Sequence, residues 1–182
     1  MKRVVRALEA ESIPYLITGS IASSMQGEPR STHDLDVVVD LDWPAAQRLS
    51  SHFASTDVYL SLDAVRAAIL ARKQFNLIDG ASGDKVDFWL HARTPFDDSR
   101  FARRQRQSYI GTPVNVSSPE DTILRKLAWM RECGGSEKQF GDCRGVYEVQ
   151  FEVLDQAYMD RWARELGIED LLARLRAESQ PI

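Results

Sequence analysis

The sequence contains few of the residues that form disulfide frameworks or zinc clusters. Of its 182 residues, two are cysteines and three are histidines, and the histidines do not cluster with Cys133 and Cys143. These numbers exclude a disulfide-rich fold and argue against a zinc site. We therefore expect a protein of the reducing cytoplasm.

Long apolar runs and an excess of basic residues are also missing. No apolar run approaches the length of a membrane span, so we expect no membrane partner. The first residues, MKRVVRALEAESIP, have the pattern of an amphipathic helix rather than that of a signal peptide. Because the net charge is −4 at pH 7, any contact with a polyanion would need a local basic patch.

The composition itself, 43% hydrophobic and 27% charged, is ordinary for a globular protein. The length is enough for one domain, or for one core with a small appendage.

The chain is organised around residues 15–42. There an apolar strand at 15–18 is followed by Gly19 and Ser20, by a short helical segment at 21–26, and by a second strand at 35–39.

Two carboxylates, Asp34 and Asp36, lie at the start of the second strand. Residues i and i+2 of a strand point to the same face, so these side chains repel each other unless a cation neutralises them, while His33 is expected to face away. A hard divalent ion such as Mg²⁺ fits this pair. Gly19 and Ser20 complement it, because a glycine permits close backbone approach and the first N–H groups of a helix attract phosphate. The pattern predicts metal-dependent binding of a nucleoside triphosphate.

A predicted hairpin with the turn DGASGD adds a third carboxylate. Its second strand turns Val86 and Phe88 to one face and Lys85, Asp87 and Trp89 to the other. A charged aspartate in this setting is costly without a partner. A metal held by the first two carboxylates would be such a partner.

The remaining elements follow from hydrophobic periodicity and from helix caps. A weak strand candidate contains a proline, which argues for a position at the edge of the sheet. The predicted helices lie at 3–11, 43–53 and 63–71, with further helices from Ser118, from Ser136, at 154–166 and at 168–176. The predicted strands beyond the first two lie at 58–60, 74–78, 85–90 and 109–116.

Residues 97–107, DDSRFARRQRQ, contain four arginines around Phe101, namely Arg100, Arg103, Arg104 and Arg106. Two interpretations stay open for this arginine run. It is either a solvated helix face or linker, or a surface that contacts RNA or a triphosphate tail.

Together these motifs resemble the DNA polymerase β-like nucleotidyltransferase superfamily. A GS pair, about a dozen residues and then DxD on a strand are its signature, and Ala22, Gly27, Arg30 and Thr32 resemble the form GGxA…G…RxTxDxD of minimal bacterial members. Those members include the AbiEii-type toxin nucleotidyltransferases. The resemblance continues through FNLIDGASGDKVDFW, SSPEDTILRKLAW and SEKQFGDCRGVYEVQ, so it covers nearly the whole chain.

The resemblance implies an α/β (α+β) nucleotidyltransferase fold, with a short mixed β-sheet flanked by helices and a C-terminal helical layer. The core would span 1–116 and the helical C-terminal subdomain 117–182. It also implies that Asp34, Asp36 and Asp87 are the catalytic residues and the ligands of Mg²⁺ or Mn²⁺.

The resemblance further implies a set of nucleotide- and phosphate-binding residues: Gly19, Ser20, Arg30, Thr32, Lys126, Lys138 and Asp142. Simpler roles stay open for most of them. Arg30 and Thr32 can be turn residues, Lys126 can be a surface lysine, and Asp142 can form a cap or an ion pair within the helices. Lys138 stands where relatives often carry arginine, and lysine lacks the bidentate fork.

The implied function is the Mg²⁺-dependent transfer of an NMP from an NTP to an acceptor hydroxyl on tRNA, other RNA or protein. The toxin resemblance implies a role in a type IV toxin–antitoxin pair, with a cognate antitoxin as partner. The alternatives are a small-molecule (aminoglycoside-like) nucleotidyltransferase and a non-catalytic nucleotide-binding module of the same fold. The acceptor, the base and the oligomeric state are not encoded in these patterns.

Overall fold

A computed structural model of the chain describes residues 2–32, 34–54 and 57–181, so His33 lies outside the described residues. The helices are α1 (Lys2–Ala10), α2 (Gly19–Gln26), α3 (Trp43–Ser51), α4 (Leu62–Ala71), α5 (Pro95–Ala102), α6 (Pro119–Glu132), α7 (Glu137–Gln150), α8 (Gln156–Glu165) and α9 (Glu169–Glu178). The strands are β1 (Tyr15–Thr18), β2 (Asp34–Val39), β3 (Val58–Leu60), β4 (Gln74–Asp79), β5 (Lys85–Leu90), β6 (Gln105–Tyr109) and β7 (Thr112–Val116). No helix in these ranges is long and apolar enough to cross a membrane.

The contacts of the described residues divide the chain into two compact units. We call the one built from residues 1–18 and 32–116 the sheet unit, and the one built from 19–31 and 117–182 the helical unit. The segment 19–31, which the sequence assigns to the core, therefore belongs with the C-terminal helices. The reason is that α2 contacts α6 and α7.

The sheet unit is built on a seven-stranded sheet with the order β3-β4-β5-β2-β1-β7-β6. β2 lies antiparallel to β1 and parallel to β5, so the sheet is mixed. β2 and its neighbours hold the core, because Leu35 and Val37 are almost completely buried along with Ile17 and Phe88. The helices α1, α3, α4 and α5 belong to the same unit.

One strand prediction was wrong. The segment at 109–116 is not a single edge strand but the second half of a hairpin, in which β6 is the edge and β7 lies between β6 and β1. Ile110 and Gly111 form the turn, with φ of 49° and 70°. Pro113 is tolerated because it pairs with Ser108 of β6. The strand β7 pairs with β1 at Val116. The missing N–H of Pro113 therefore breaks no ladder bond with β1.

In the helical unit, α6 begins where the Oγ of Ser118 accepts a hydrogen bond from the N–H of Asp121. The carboxylate of Asp121 is completely buried and also accepts a hydrogen bond from the hydroxyl of Tyr158 at 2.7 Å. α2 approaches α7 closely, because a Cβ on Gly27 would lie 2.6 Å from the backbone nitrogen of Val146. Only glycine fits at this position, which fixes the end of α2 against α7.

Candidate active site

Three aspartates in the sheet unit, Asp34, Asp36 and Asp87, form a patch that we call the carboxylate face. In the parallel pairing of β2 with β5, Asp36 lies beside Asp87 and Asp34 lies beside Lys85. Paired residues project from the same face of a sheet, and neighbouring strands lie about 4.8 Å apart. The structure thus brings together the three carboxylates that the sequence selects.

Strand alternation explains why these side chains point away from the core. Leu35 and Val37 of β2 are 3% and 0% exposed, so they anchor one face of the strand in the core. A shift of one residue would bury the aspartates instead, so burial of these apolar side chains specifies the register. Asp34 is consequently exposed, and Asp36 is partly buried.

Neighbouring side chains hold the carboxylates in place. The Nζ of Lys85 donates to Oδ2 of Asp87 at 2.9 Å. Asn76 of β4 donates to the other oxygen, Oδ1, at 3.1 Å when its side-chain amide is oriented with the nitrogen toward the neighbouring acceptors. The Nε1 of Trp89 donates to Oδ1 of Asp36 at 3.3 Å. Both oxygens of Asp87 therefore accept hydrogen bonds from residues of the same sheet.

Lys85 is a charged residue of this face to which sequence reasoning gave no role. Its hydrogen bond to Asp87 raises the pKa of the ammonium, burial lowers it, and the charges of Asp87, Asp34 and Asp36 raise it further. Lys85 is therefore a cation in the field of all three carboxylates. The available signal was a lysine two residues before an aspartate on one strand, which places both side chains on the same face.

The donor set fits a hard divalent ion that arrives with a nucleotide. Within the described ranges, no three His, Cys, Asp or Glu side chains are grouped as a ready metal cage. Mg²⁺ is usually held by one or two carboxylates together with waters and substrate phosphates, rather than by a cage made only of protein groups. The paired carboxylates Asp36 and Asp87, with Asp34 beside them, match that mode of binding.

A second charged group lies in the helical unit, and we call it the arginine–lysine cluster; it consists of Ser20, Arg30, Lys126, Gln139 and Asp142. Arg30 holds Asp142 with two hydrogen bonds of 3.0 Å, one to each oxygen, and it also donates to the Oγ of Ser20 at 2.6 Å. The Nζ of Lys126 donates to Asp142 and to Gln139, both at 2.8 Å. The side chains of Lys126 and Asp142 are only 8% and 11% exposed.

The cluster keeps a positive charge in excess. Burial alone would raise the pKa of Asp142, but hydrogen bonds from Arg30 and Lys126 outweigh it and hold that pKa below its usual value. The hydrogen bond to Asp142 likewise raises the pKa of Arg30. Two cations therefore share one carboxylate. Lys126 is not a surface lysine, and the ion-pair role that the sequence left open for Asp142 is the observed one.

The cluster adjoins the start of α2. Gly19 has a φ of 65°, a left-handed value that glycine adopts without strain. The hydroxyl of Ser23 donates to the carbonyl oxygens of Gly19 and Ser20. The first N–H groups of a helix lack partners within it and favour anions.

Two of the predicted phosphate-binding residues lie elsewhere. Thr32 belongs to the sheet unit, where its hydroxyl lies 3.4 Å from the backbone of Asp34. Lys138 is an exposed residue of α7 and makes none of the contacts of the arginine–lysine cluster. Their roles toward a nucleotide stay predictions.

Comparison with known proteins identifies the fold. No family model matches the chain, and no curated protein matches it by sequence. The solution structure of the antibiotic-resistance factor ANT(2'')-Ia matches with a TM-score of 0.58 at 14% identity, covering 97% of this chain and 91% of that one. The crystal structure of ANT(2'')-Ia in complex with adenylyl-2''-tobramycin gives 0.59 at 14% identity, covering 91% and 94%. An antigenic nucleotidyltransferase-like protein from Paracoccidioides brasiliensis gives 0.54 at 18% identity, covering 98% and 92%.

The chain has the nucleotidyltransferase fold. This confirms the predicted fold class, a mixed sheet flanked by helices. The AbiEii-type resemblance stays a prediction, because similarities at this level of identity establish the fold alone.

Within this nucleotidyltransferase fold, the arginine run is not a linker, and its arginines contact other residues of the sheet unit. It spans the end of α5 and the start of β6. Arg100 is 4% exposed and donates to Asp97 and to the hydroxyl of Thr18. Arg104 lies over the ring of Phe101, with its guanidinium carbon 4.8 Å from the centroid.

Arg106, the last arginine of the run, makes a 2.5 Å ion pair with Glu9. Arg100, Arg104 and Arg106 thus contact side chains of the sheet unit itself. This arrangement weakens the interpretation of the run as an RNA path.

Proposed function

We propose that the protein is a metal-dependent nucleotidyltransferase that moves an NMP from an NTP to an acceptor hydroxyl and releases pyrophosphate. The observation that carries this proposal is the carboxylate face, on which Asp36 is paired directly with Asp87 and Asp34 stands two residues along the same strand. The nucleotidyltransferase fold supports it. That three aspartates occupy this face favours an enzyme over a non-catalytic module.

In the proposed reaction, Asp34 and Asp36 would hold Mg²⁺ or Mn²⁺, and Asp87 would complete the site. When bound, the ion stabilises negative charge on the phosphates in an in-line displacement. Asp87 accepts the proton of the attacking hydroxyl. The hydroxyl oxygen bonds to the α-phosphorus while the bond from that phosphorus to the bridging oxygen of the pyrophosphate breaks. The pyrophosphate leaves with that electron pair.

The arginine–lysine cluster supplies the complementary chemistry, which is recognition of an anion. Arg30 and Lys126 leave one positive charge beyond that of Asp142, and Gly19 and Ser20 open a helix whose first N–H groups attract phosphate. We propose that this group binds the phosphates of the nucleotide. Asp142 acts there as a positioning residue that holds both cations.

For the acceptor, the AbiEii-type resemblance favours a hydroxyl of tRNA, of other RNA or of a protein. In that case the protein would be a cytoplasmic toxin with a cognate antitoxin. A second candidate is a small amino sugar. It is favoured by the shared fold with ANT(2'')-Ia, whose crystal structure is a complex with adenylyl-2''-tobramycin, and by the engagement of the arginine run within the sheet unit.

Label transfer tests the proposal. The protein is incubated with each α-³²P-labelled NTP and Mg²⁺, together with total RNA, total protein or tobramycin as acceptor. We expect label on one acceptor class, and loss of it in Asp36→Asn. Asp63→Asn, which removes an exposed acid from α4, is the matched control and should transfer label normally. Equal transfer by Asp36→Asn and the native protein would contradict the proposal.

A further inference from the structure

Lys85 is a cation that contacts the carboxylate face directly. Its Nζ lies 2.9 Å from Oδ2 of Asp87, and its Cα is paired with that of Asp34 on the neighbouring strand. One ammonium group therefore already neutralises part of a face that carries three carboxylates. The inference below rests on the proposed function, because it concerns the metal that this function requires.

Two neutral donors also contact this face. Asn76 and Trp89 donate to Asp87 and Asp36 through an amide and an indole N–H, which orient the carboxylates without adding charge. A divalent ion can coexist with neutral donors nearby. It competes directly with an ammonium group, because like charges repel and both need the same oxygen.

The side chain of Lys85 can leave without disturbing the core. It is 39% exposed, whereas Asp87 is 14% exposed. A lysine ammonium is a strongly hydrated charge on a flexible stem, so it can rotate into water or toward a new anion. The pair is thus an exchangeable contact on the surface of the sheet.

We propose that Lys85 is an internal counter-ion that makes metal binding depend on the nucleotide. A metal ion alone must displace the ammonium from Asp87 and gains only carboxylates and water in return. A triphosphate adds anionic oxygens, which bind the metal and offset the cost of displacing the ammonium into water. Metal and nucleotide therefore bind cooperatively, and by thermodynamic linkage each raises the affinity of the other by the same factor.

Mn²⁺ titrations, followed by electron paramagnetic resonance of the free ion, test this proposal with and without a non-hydrolysable ATP analogue. The variants are Lys85→Met, which removes the charge but keeps the length, and Lys85→Arg, which keeps the charge. Lys73→Met removes an exposed lysine elsewhere in the sheet unit and controls for net charge. Thermal denaturation verifies that each variant is folded.

Without nucleotide, Lys85→Met should bind Mn²⁺ about tenfold more tightly than the native protein, since one unit charge next to the ion is removed. Its gain in Mn²⁺ affinity on adding the analogue should shrink by about the same factor. Lys85→Arg and Lys73→Met should behave as the native protein does.

Two results would overturn the proposal while leaving the function intact. Unchanged Mn²⁺ affinity in Lys85→Met would make the contact a plain surface ion pair. Weaker binding of the analogue by Lys85→Met in the presence of EDTA would make Lys85 a phosphate-binding residue instead. Failure of the native protein to bind Mn²⁺ even with the analogue is a separate outcome, which removes the proposed function and this inference with it.

Discussion

The two charged groups of this protein each contain a lysine paired with an aspartate, yet the pairs differ in nearly every other respect. Lys85 and Asp87 of the carboxylate face are 39% and 14% exposed, and the face carries more negative than positive charges. Lys126 and Asp142 of the arginine–lysine cluster are 8% and 11% exposed, and the cluster carries more positive than negative charges. A similar N–O distance, 2.9 Å in one pair and 2.8 Å in the other, therefore occurs in opposite electrostatic surroundings.

The difference follows from desolvation and from the sign of the surplus charge. A pair whose lysine reaches water contributes less to stability and can exchange partners, so the carboxylate face can accept a metal cation. A buried pair is costly to break, because the remaining charge stays desolvated. The arginine–lysine cluster is therefore a fixed arrangement of positive charge suited to an anion. We expect mutations to separate the two groups into one that governs chemistry and one that governs folding and affinity.

The largest effect on stability is expected for Asp142→Ala. It leaves Lys126 buried without its carboxylate and should lower the free energy of unfolding by roughly 3 kcal/mol. The matched truncation, Asp87→Ala, should cost less than about 1 kcal/mol, because Lys85 can hydrate. Urea denaturation of the two variants measures both values. Equal losses would mean that the two pairs do not differ as described.

The largest effect on catalysis is expected for Asp87→Asn. If Asp87 is the proton acceptor, label transfer should fall by at least ~100-fold, the scale of a lost general base. Binding of NTP should persist, because the phosphate-binding groups are unchanged. Single-turnover label transfer and equilibrium NTP binding separate the two effects. Native transfer rates in Asp87→Asn would reduce the residue to an ordinary acid of the sheet.

A smaller effect, on affinity, is expected for Arg30→Ala. This variant removes the cation that contacts both Ser20 and Asp142, and it should weaken NTP binding about tenfold, the scale of one charge-assisted hydrogen bond. Arg104→Ala is the control, because Arg104 lies over Phe101 in the sheet unit. Fluorescence titration with a labelled NTP in EDTA compares them. A loss of the same size in Arg104→Ala would point to a non-specific charge effect.

The smallest effect concerns acid stability. The pKa of Asp142 is lower in the folded protein than its ordinary value, so this group stabilises the fold fully above about pH 4 and loses that contribution as the pH falls further. Asp142→Asn should therefore show a flatter decline of stability below about pH 4 than the native protein. Denaturation midpoints between pH 2.5 and 6 measure the two slopes, and parallel slopes would contradict the lowered pKa.

The sequence predicted the parts of this picture that depend on local pattern. Alternation placed Asp34, Asp36 and Asp87 on strands with their neighbours buried behind them, and the helix caps located α6 and α7. The boundaries of β3 and β5 agree with the structure to the residue. These elements have strong periodicity or clear caps, and local sequence pattern is therefore enough to predict them.

The parts that were missed depend on tertiary contacts. The strand β6, QRQSY, carries no apolar alternation and begins within the arginine run, so nothing local marks it as a strand. Alternation put Lys85 on the right face but could not reveal its contact with Asp87. Arg30 and Asp142 are 112 residues apart in sequence, and no local pattern predicts such a pairing. The grouping of 19–31 with the helical unit has the same origin.

Joint binding of a divalent ion and a nucleoside triphosphate to the carboxylate face can be measured without knowledge of the acceptor. The melting temperature of the native protein is compared with that of Asp34→Asn/Asp36→Asn, with and without Mg²⁺ and NTP. A ligand that binds only the folded state raises the melting temperature by mass action. We predict a clear rise for the native protein and loss of most of that rise in the double variant. An equal rise in both proteins would mean that Asp34 and Asp36 hold no metal ion.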